Sequence, residues 1–172
     1  MIMIKKYLIL ILITFFFNSS SFSASEISDS STTTEEPKGP SNTSNYDKAV
    51  KIVNKGNKYD KKNKKKKAQK FYQKAFKLLQ ISNKDFPANP DTLNYLGYTS
   101  RKLGEFENAE IYYLLGLEID PEHNGINKYL GGLYVNTGRL AEAKERLKIL
   151  ENCSCEEYKG LDNAIKSGSS KY

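Results

Sequence analysis

Few side chains in this 172-residue chain are suited to chemistry, and they are scattered. His123 is the only histidine. It sits just past Pro121, where a lone imidazole reads as a helix-start or surface group rather than a general base. Glu105, Glu107 and Glu110 crowd together in sequence as the acidic opening of a helix, which the helix dipole favours. No Ser-His-Asp or Cys-His constellation and no glycine-rich phosphate loop is present. Cys153 and Cys155 are the only cysteines. With one distant His they fall short of the about four ligands of a structural zinc site. They can be a local disulfide, two free thiols or a CxC redox pair. A bridge across a single residue is short and comparatively easy to reduce. Against redox work, no neighbouring His or Arg would lower the thiol pKa. The sequence thus points to no catalysis, no metal and no cofactor.

Charge is the next candidate for function. The formal net charge of +7 is unevenly spread. Residues 47–85 carry 14 Lys against 3 Asp, whereas residues 86–172 carry 10 Lys and Arg against 13 Asp and Glu. The basic patch is densest at Lys61, Lys62, Lys64, Lys65, Lys66 and Lys67. Such a run is ordinarily a solvated end of the domain. Its functional reading is attraction to an acidic partner or an anionic membrane surface, worth about 1 kcal/mol per Lys near charged lipid. Nucleic acid is disfavoured. The patch has no Arg to read base edges and the chain has no Trp to stack on bases.

The elements behind these residues repeat. Leu96-Gly97 recurs as Leu130-Gly131, Leu103-Gly104 is echoed by Thr137-Gly138, Ala109 returns at Ala143, and Tyr113 is answered by Leu147, all at a spacing of 34 residues. Apolar residues recur at helical rather than alternating spacing. A fixed period of this length marks stacked helical hairpins, none of which can bury its apolar face alone. Gly97 and Gly131 fall inside helices, where Gly costs about 1 kcal/mol against Ala, so close helix approach is expected there. Ala109 and Ala143 are expected as the small partners on the second helices.

Through Leu96, Gly97, Gly104, Phe106, Ala109, Tyr113, Gly116 and the closing Pro121, the chain resembles the tetratricopeptide repeat family. A second copy over about 124–155 keeps Leu130, Gly131, Tyr134, Gly138, Ala143 and Leu147, with Cys155 where the closing proline would stand. An upstream copy over about 46–86 keeps Gly56, Tyr59, Ala68, Tyr72 and Ala75, offset by 41 residues. The longer offset predicts a second helix extended through Phe76, Leu78, Leu79 and Ile81 and ended by Pro87. The resemblance implies an all-α, right-handed α-solenoid of about three antiparallel helix pairs, with repeats at about 46–86, 90–123 and 124–155. It also implies a non-catalytic scaffold that binds a protein or peptide along a concave face lined by the first helix of each repeat. Carried over by position, that face would present Asn57, Asp60, Asn94, Tyr98, Arg101, Lys128 and Asn136. Some members grip a C-terminal carboxylate with paired Lys and Asn, but Val53 stands where the first such Lys would be.

Outside the repeats, Lys5-Lys6, the apolar run from Tyr7 to Phe17 and the small residues up to Ala24 have the layout of a signal peptide over residues 1–24. The apolar run is shorter than the about 20 residues of a membrane span. An uncleaved membrane anchor is the alternative. Residues 25–45, rich in Ser and Thr, read as a disordered linker. Residues 156–168 read as a capping helix with Tyr158, Leu161, Ala164 and Ile165 on its apolar face. These features predict an exported protein, periplasmic or secreted, of a bacterial cell envelope. Mass spectrometry of the mature protein should find an amino terminus just after Ser23 or Ala24. Recovery of an intact Met1 terminus would sink the export reading.

Overall fold

The computed structural model describes residues 43–171. The expected signal peptide and nearly all of the expected linker lie outside the described residues. Seven α-helices and one short 3-10 turn follow in order. They are α1 (Thr43–Lys61), α2 (Lys65–Asp85), α3 (Pro90–Leu103), α4 (Phe106–Ile119), α5 (Asn124–Asn136), α6 (Leu140–Ile149), the turn Glu151–Cys153, and α7 (Glu156–Ser167). The first six helices pack as consecutive hairpins, α1 on α2, α3 on α4 and α5 on α6, and α7 covers α5. No strand occurs among the described residues. The architecture is an all-α solenoid with a capping helix.

Local sequence explains the helix ends. At the start of α3 the Asn89 side chain accepts a hydrogen bond from the Thr92 N–H at 3.0 Å, and Pro90 fills the first helical position, where its missing N–H costs nothing. Arg101 and Lys102 occupy the last turn, complementing the dipole. The helix stops at Gly104 in the left-handed region, φ 87°. There the Glu105 N–H donates back to the Ser100 carbonyl at 2.9 Å, closing a six-residue loop that satisfies the terminal carbonyls. The same arrangement ends α5 at Gly138 and α7 at Gly168. The second helix of the first hairpin runs on to Asp85, matching the extension expected from the longer repeat offset.

Packing rests on a socket in each first helix. A Cβ placed on Gly56 would lie 2.7 Å from the Tyr72 ring, and one on Gly97 would lie 2.5 Å from the Tyr113 ring. The glycines are therefore required by the approach of an aromatic ring from the partner helix. The sequence assigned that contact to Ala109. Ala109 is fully buried, but the side chain seated against Gly97 belongs to Tyr113, one turn further on. The third socket differs again. A Cβ on Gly131 would meet Leu161 of α7 at 2.5 Å, and Leu147, the positional equivalent of Tyr113, is only half-buried. The capping helix thus completes the last repeat.

Repeats are joined across their boundaries by Ile126, fully buried and seated against Gly116, and by Arg139. That guanidinium donates to both carboxylate oxygens of Glu110 at 2.9 and 2.8 Å and lies over the Tyr134 ring, 4.1 Å from its centroid. The same guanidinium donates from Nε to Glu142 at 2.9 Å, and a planar group that serves two carboxylates and stacks on a ring is more than a Lys ammonium supplies.

Gly97→Ala is the sharpest test of the socket. Helix propensity alone would stabilise the variant by about 1 kcal/mol, whereas overpacking against a buried ring costs about 1–3 kcal/mol. The expected result is a lower midpoint in chemical denaturation, accompanied by a shifted Tyr113 environment. A variant more stable than the parent would show that the ring yields freely.

Candidate functional site

Hairpin stacking sets the first helices side by side, so residues one repeat apart meet. Asn57 and Asp60 from α1 face Tyr98 and Lys102 from α3, with Tyr129 of α5 beyond them. Together with Lys61 and Lys171 they line an open cleft of about 470 Å³. At its floor the Asn57 Oδ1 accepts two phenolic hydrogen bonds, from Tyr72 at 2.8 Å and from Tyr98 at 2.7 Å. With both donors directed at the oxygen, the Asn57 amide is fixed, and its NH₂ group is the end left to donate elsewhere. On the rim, Lys102 pairs with Asp60 at 3.1 Å and lies 5.7 Å from the centre of the Tyr98 ring.

Arg101 lies beside this floor rather than on the surface. It is 5% exposed, and its Cζ is 5.9 Å from the centre of the Tyr98 ring. Its Nε and Nη2 atoms are enclosed without a hydrogen-bond partner. The Tyr113 hydroxyl is enclosed beside it, close enough to feel the Arg101 charge. A buried guanidinium with donors unmatched is costly to the fold, since such groups are normally satisfied.

The same enclosure governs the phenols. Burial pushes Tyr72, Tyr98 and Tyr113 well above the ordinary tyrosine range. For Tyr72 and Tyr98 the neighbouring phenols, Tyr98 and Tyr129 respectively, add to the rise. The Arg101 charge opposes it in all three.

Of the residues expected on the concave face, the structure gathers Asn57, Asp60 and Tyr98 into one site. Asn94 is 8% exposed and is wedged near the start of α5, its amide against Gly125. Lys128 lies over the Tyr129 ring, 5.4 Å from its centroid, and is not among the residues lining the cleft. Asn136 binds the main chain of Ser170. Val53 is buried, so the position where the family's clamp places a Lys is part of the core here. Lys102 and Tyr129 were not foreseen, although a signal existed. Lys61, Lys102 and Asn136 each lie five residues past a socket glycine (Gly56, Gly97 and Gly131), and so share one register position on successive first helices.

Lys61 excepted, the remaining candidates are not among the residues lining the cleft. Lys61 ends α1 and Lys62 and Lys64 form the turn into α2, which Lys65, Lys66 and Lys67 open; all six are exposed. Lys67 stands over Tyr59, 4.4 Å from the ring centre. Cys153 and Cys155 are joined in a disulfide around Ser154, which holds a left-handed backbone, φ 49°. His123 caps α5. Its Nδ1 accepts from the Ile126 N–H at 3.1 Å, and its Nε2 is 3.2 Å from the Asp91 carboxylate. A ring whose Nδ1 is an acceptor carries its proton on Nε2, facing that carboxylate. Both nitrogens are thus engaged in structure.

With this geometry in hand, similarity to known proteins becomes informative. The tetratricopeptide repeat family model matches residues 52–78 and 90–123. Among solved structures, the first such domain of Spaghetti (RPAP3), bound to an HSP90 peptide, is 22% identical with a TM-score of 0.52, the alignment covering 71% of this chain and 93% of that one. The Yersinia enterocolitica type III secretion chaperone SycD, in complex with a peptide of the translocator YopD, is 18% identical with a TM-score of 0.51, covering 71% and 89%. The second such domain of human RPAP3, in complex with an HSP70 peptide, is 18% identical with a TM-score of 0.50, covering 71% and 98%. No curated protein sequence matches. Residues 52–78 and 90–123 are thus tetratricopeptide repeats, and the solved structures share the fold.

The buried phenols make an alkaline prediction. A neutral phenol retained in the fold contributes stability that is complete below about pH 10, the unfolded value, and is lost as pH rises toward the folded-state values. In an ultraviolet phenolate titration, a late class of tyrosines should ionise only together with loss of helicity. Ionisation of every tyrosine near pH 10 with the fold intact would contradict the enclosure of Tyr72, Tyr98 and Tyr113.

Proposed function

We propose that this protein is a non-catalytic interaction module that holds an extended acidic peptide or protein segment in the cleft between its first helices. What carries the reading is one arrangement. A fixed Asn57 amide, the Lys61 and Lys102 ammonium groups and the Tyr98 and Tyr129 rings converge on a single cleft. The donors greatly outnumber the acceptors, and the one carboxylate present, Asp60, is already paired with Lys102. The enclosed Arg101 adds positive potential beneath, and a low local dielectric strengthens it. Relatives in fold that are solved with peptides bound support the same use of the solenoid. The signal-peptide layout of residues 1–24 supports an exported location for this work, periplasmic or secreted, in a bacterial envelope. The Cys153–Cys155 bridge then serves as a local staple after α6.

The rival use of the molecule, as a tether to membrane surface or acidic polymer through the lysine-rich turn, separates cleanly by mutation. Replacing Asn57 and Lys102 by Ala together should weaken binding of a short fluorescein-labelled peptide of alternating Glu and Ser about tenfold or more, consistent with the loss of one neutral and one charged contact. Replacing the lysines at 64–67 by Gln should change it less than about twofold, because screening at physiological salt confines their influence to roughly 8 Å. The reverse pattern, with binding to phosphatidylglycerol vesicles that vanishes in the Gln variant, would transfer the function to the turn.

A further inference from the structure

The segment following α7 occupies the end of this cleft. Gly168, at φ 66°, reverses the chain, and the Ser169 N–H donates back to the Ala164 carbonyl at 3.2 Å. The chain then crosses the end of α5. There the Asn136 side chain grips it at two points. Asn136 Oδ1 accepts from the Ser170 N–H at 2.7 Å, and Asn136 Nδ2 donates to the Ser170 carbonyl at 3.1 Å. A side-chain amide pairing with both polar groups of one residue reads an extended main chain and is indifferent to its side chains. The next residue, Lys171, reaches the cleft with Asn57, Asp60, Tyr98 and Tyr129.

We propose that Asn136 is a main-chain clamp for an extended peptide ligand, and that in the free protein residues 169–171 occupy it as an internal strap. The proposal rests on the cleft being the peptide site. Two features make the strap a placeholder rather than a permanent part of the fold. Its backbone suits the clamp, but its side chain does not suit the cleft: Lys171 joins Lys61 and Lys102 around a single carboxylate already paired. A ligand presenting an acidic side chain at that place would gain the same two main-chain hydrogen bonds and reverse the sign of the charge contact. Further, α7 is complete at Ser167, Ser169 and Lys171 are exposed and Ser170 is half-buried, so the strap contributes no side chain to the core. Asn136 shares its register position with Lys61 and Lys102. One row of side chains along the three first helices would therefore run from charge recognition at one end to main-chain capture at the other.

The test compares four chains with the labelled Glu/Ser peptide: the parent, the parent ending at Gly168, Asn136→Ala, and the two changes combined. Circular dichroism confirms that each is folded. Ending the chain at Gly168 should tighten peptide binding about tenfold, the occupancy expected of a strap held by two neutral hydrogen bonds. In the Asn136→Ala background the same truncation should have no effect, because the strap is no longer held, and both of those chains should bind more weakly than the truncated parent. Equal affinity of the parent and its truncated form, or an equal gain with and without Asn136, overturns the strap while leaving the cleft in place. Absence of binding by all four chains overturns the cleft reading and the strap with it.

Discussion

The fit of a large side chain into a glycine socket is the constraint on which the rest of this molecule depends. Gly56 receives Tyr72, Gly97 receives Tyr113 and Gly131 receives Leu161. Each contact lets two helices approach more closely than any side chain at the glycine would permit. The close approach fixes the depth of each hairpin, and the hairpin depth fixes how neighbouring first helices line up. Tyr72 shows the link directly. One edge of its ring fills the Gly56 socket, and its hydroxyl reaches the Asn57 amide that forms the floor of the cleft. Packing and recognition are thus carried by the same side chain.

The cleft inherits its character from that packing. Enclosing the Arg101 guanidinium in the solenoid interior is unfavourable in itself, since buried donors without partners cost free energy. The fold tolerates it because the surrounding clusters bury Val53, Ala68, Ala75, Ala109 and Leu130 almost completely. The result is a cleft with a hydrogen-bonded floor and a rim of lysines, an arrangement suited to holding an extended chain by its backbone and acidic side chains. The Arg139–Glu110 pair and Ile126 join the second and third repeats, and the Lys102–Asp60 and Tyr98–Asn57 contacts join the first and second, so the spacing between Asn57, Lys102 and Asn136 is set by the solenoid.

Much of this was legible in the residues. The spacing of 34 between Leu96-Gly97 and Leu130-Gly131 specified stacked hairpins because only a repeated unit needs the same glycine in the same place. Gly104 and Gly138 mark helix ends through local backbone chemistry that involves no distant residue. Asn57, Asp60 and Tyr98 were legible as a group because register along the first helices follows from the repeat itself. Arg101 was placed on the same face by that register. Its burial was not legible, because position on a helix face does not reveal how many rings will close over it.

Sequence by itself therefore determined the elements and their order. Helix periodicity, capping residues and the repeat offset are all local or one-dimensional properties, and each is written in neighbouring residues. Tertiary structure alone decided which side chain fills each socket, and it chose Tyr113 over Ala109 and Leu161 over Leu147. It also decided that Lys102 and Tyr129 join the cleft, and that Ser170 returns to Asn136 across 34 residues. These outcomes depend on the distance between helix axes and on where the chain turns after α7. Such quantities arise only when the hairpins stack, because the volume left for a side chain is a property of its neighbours and not of its own place in the chain.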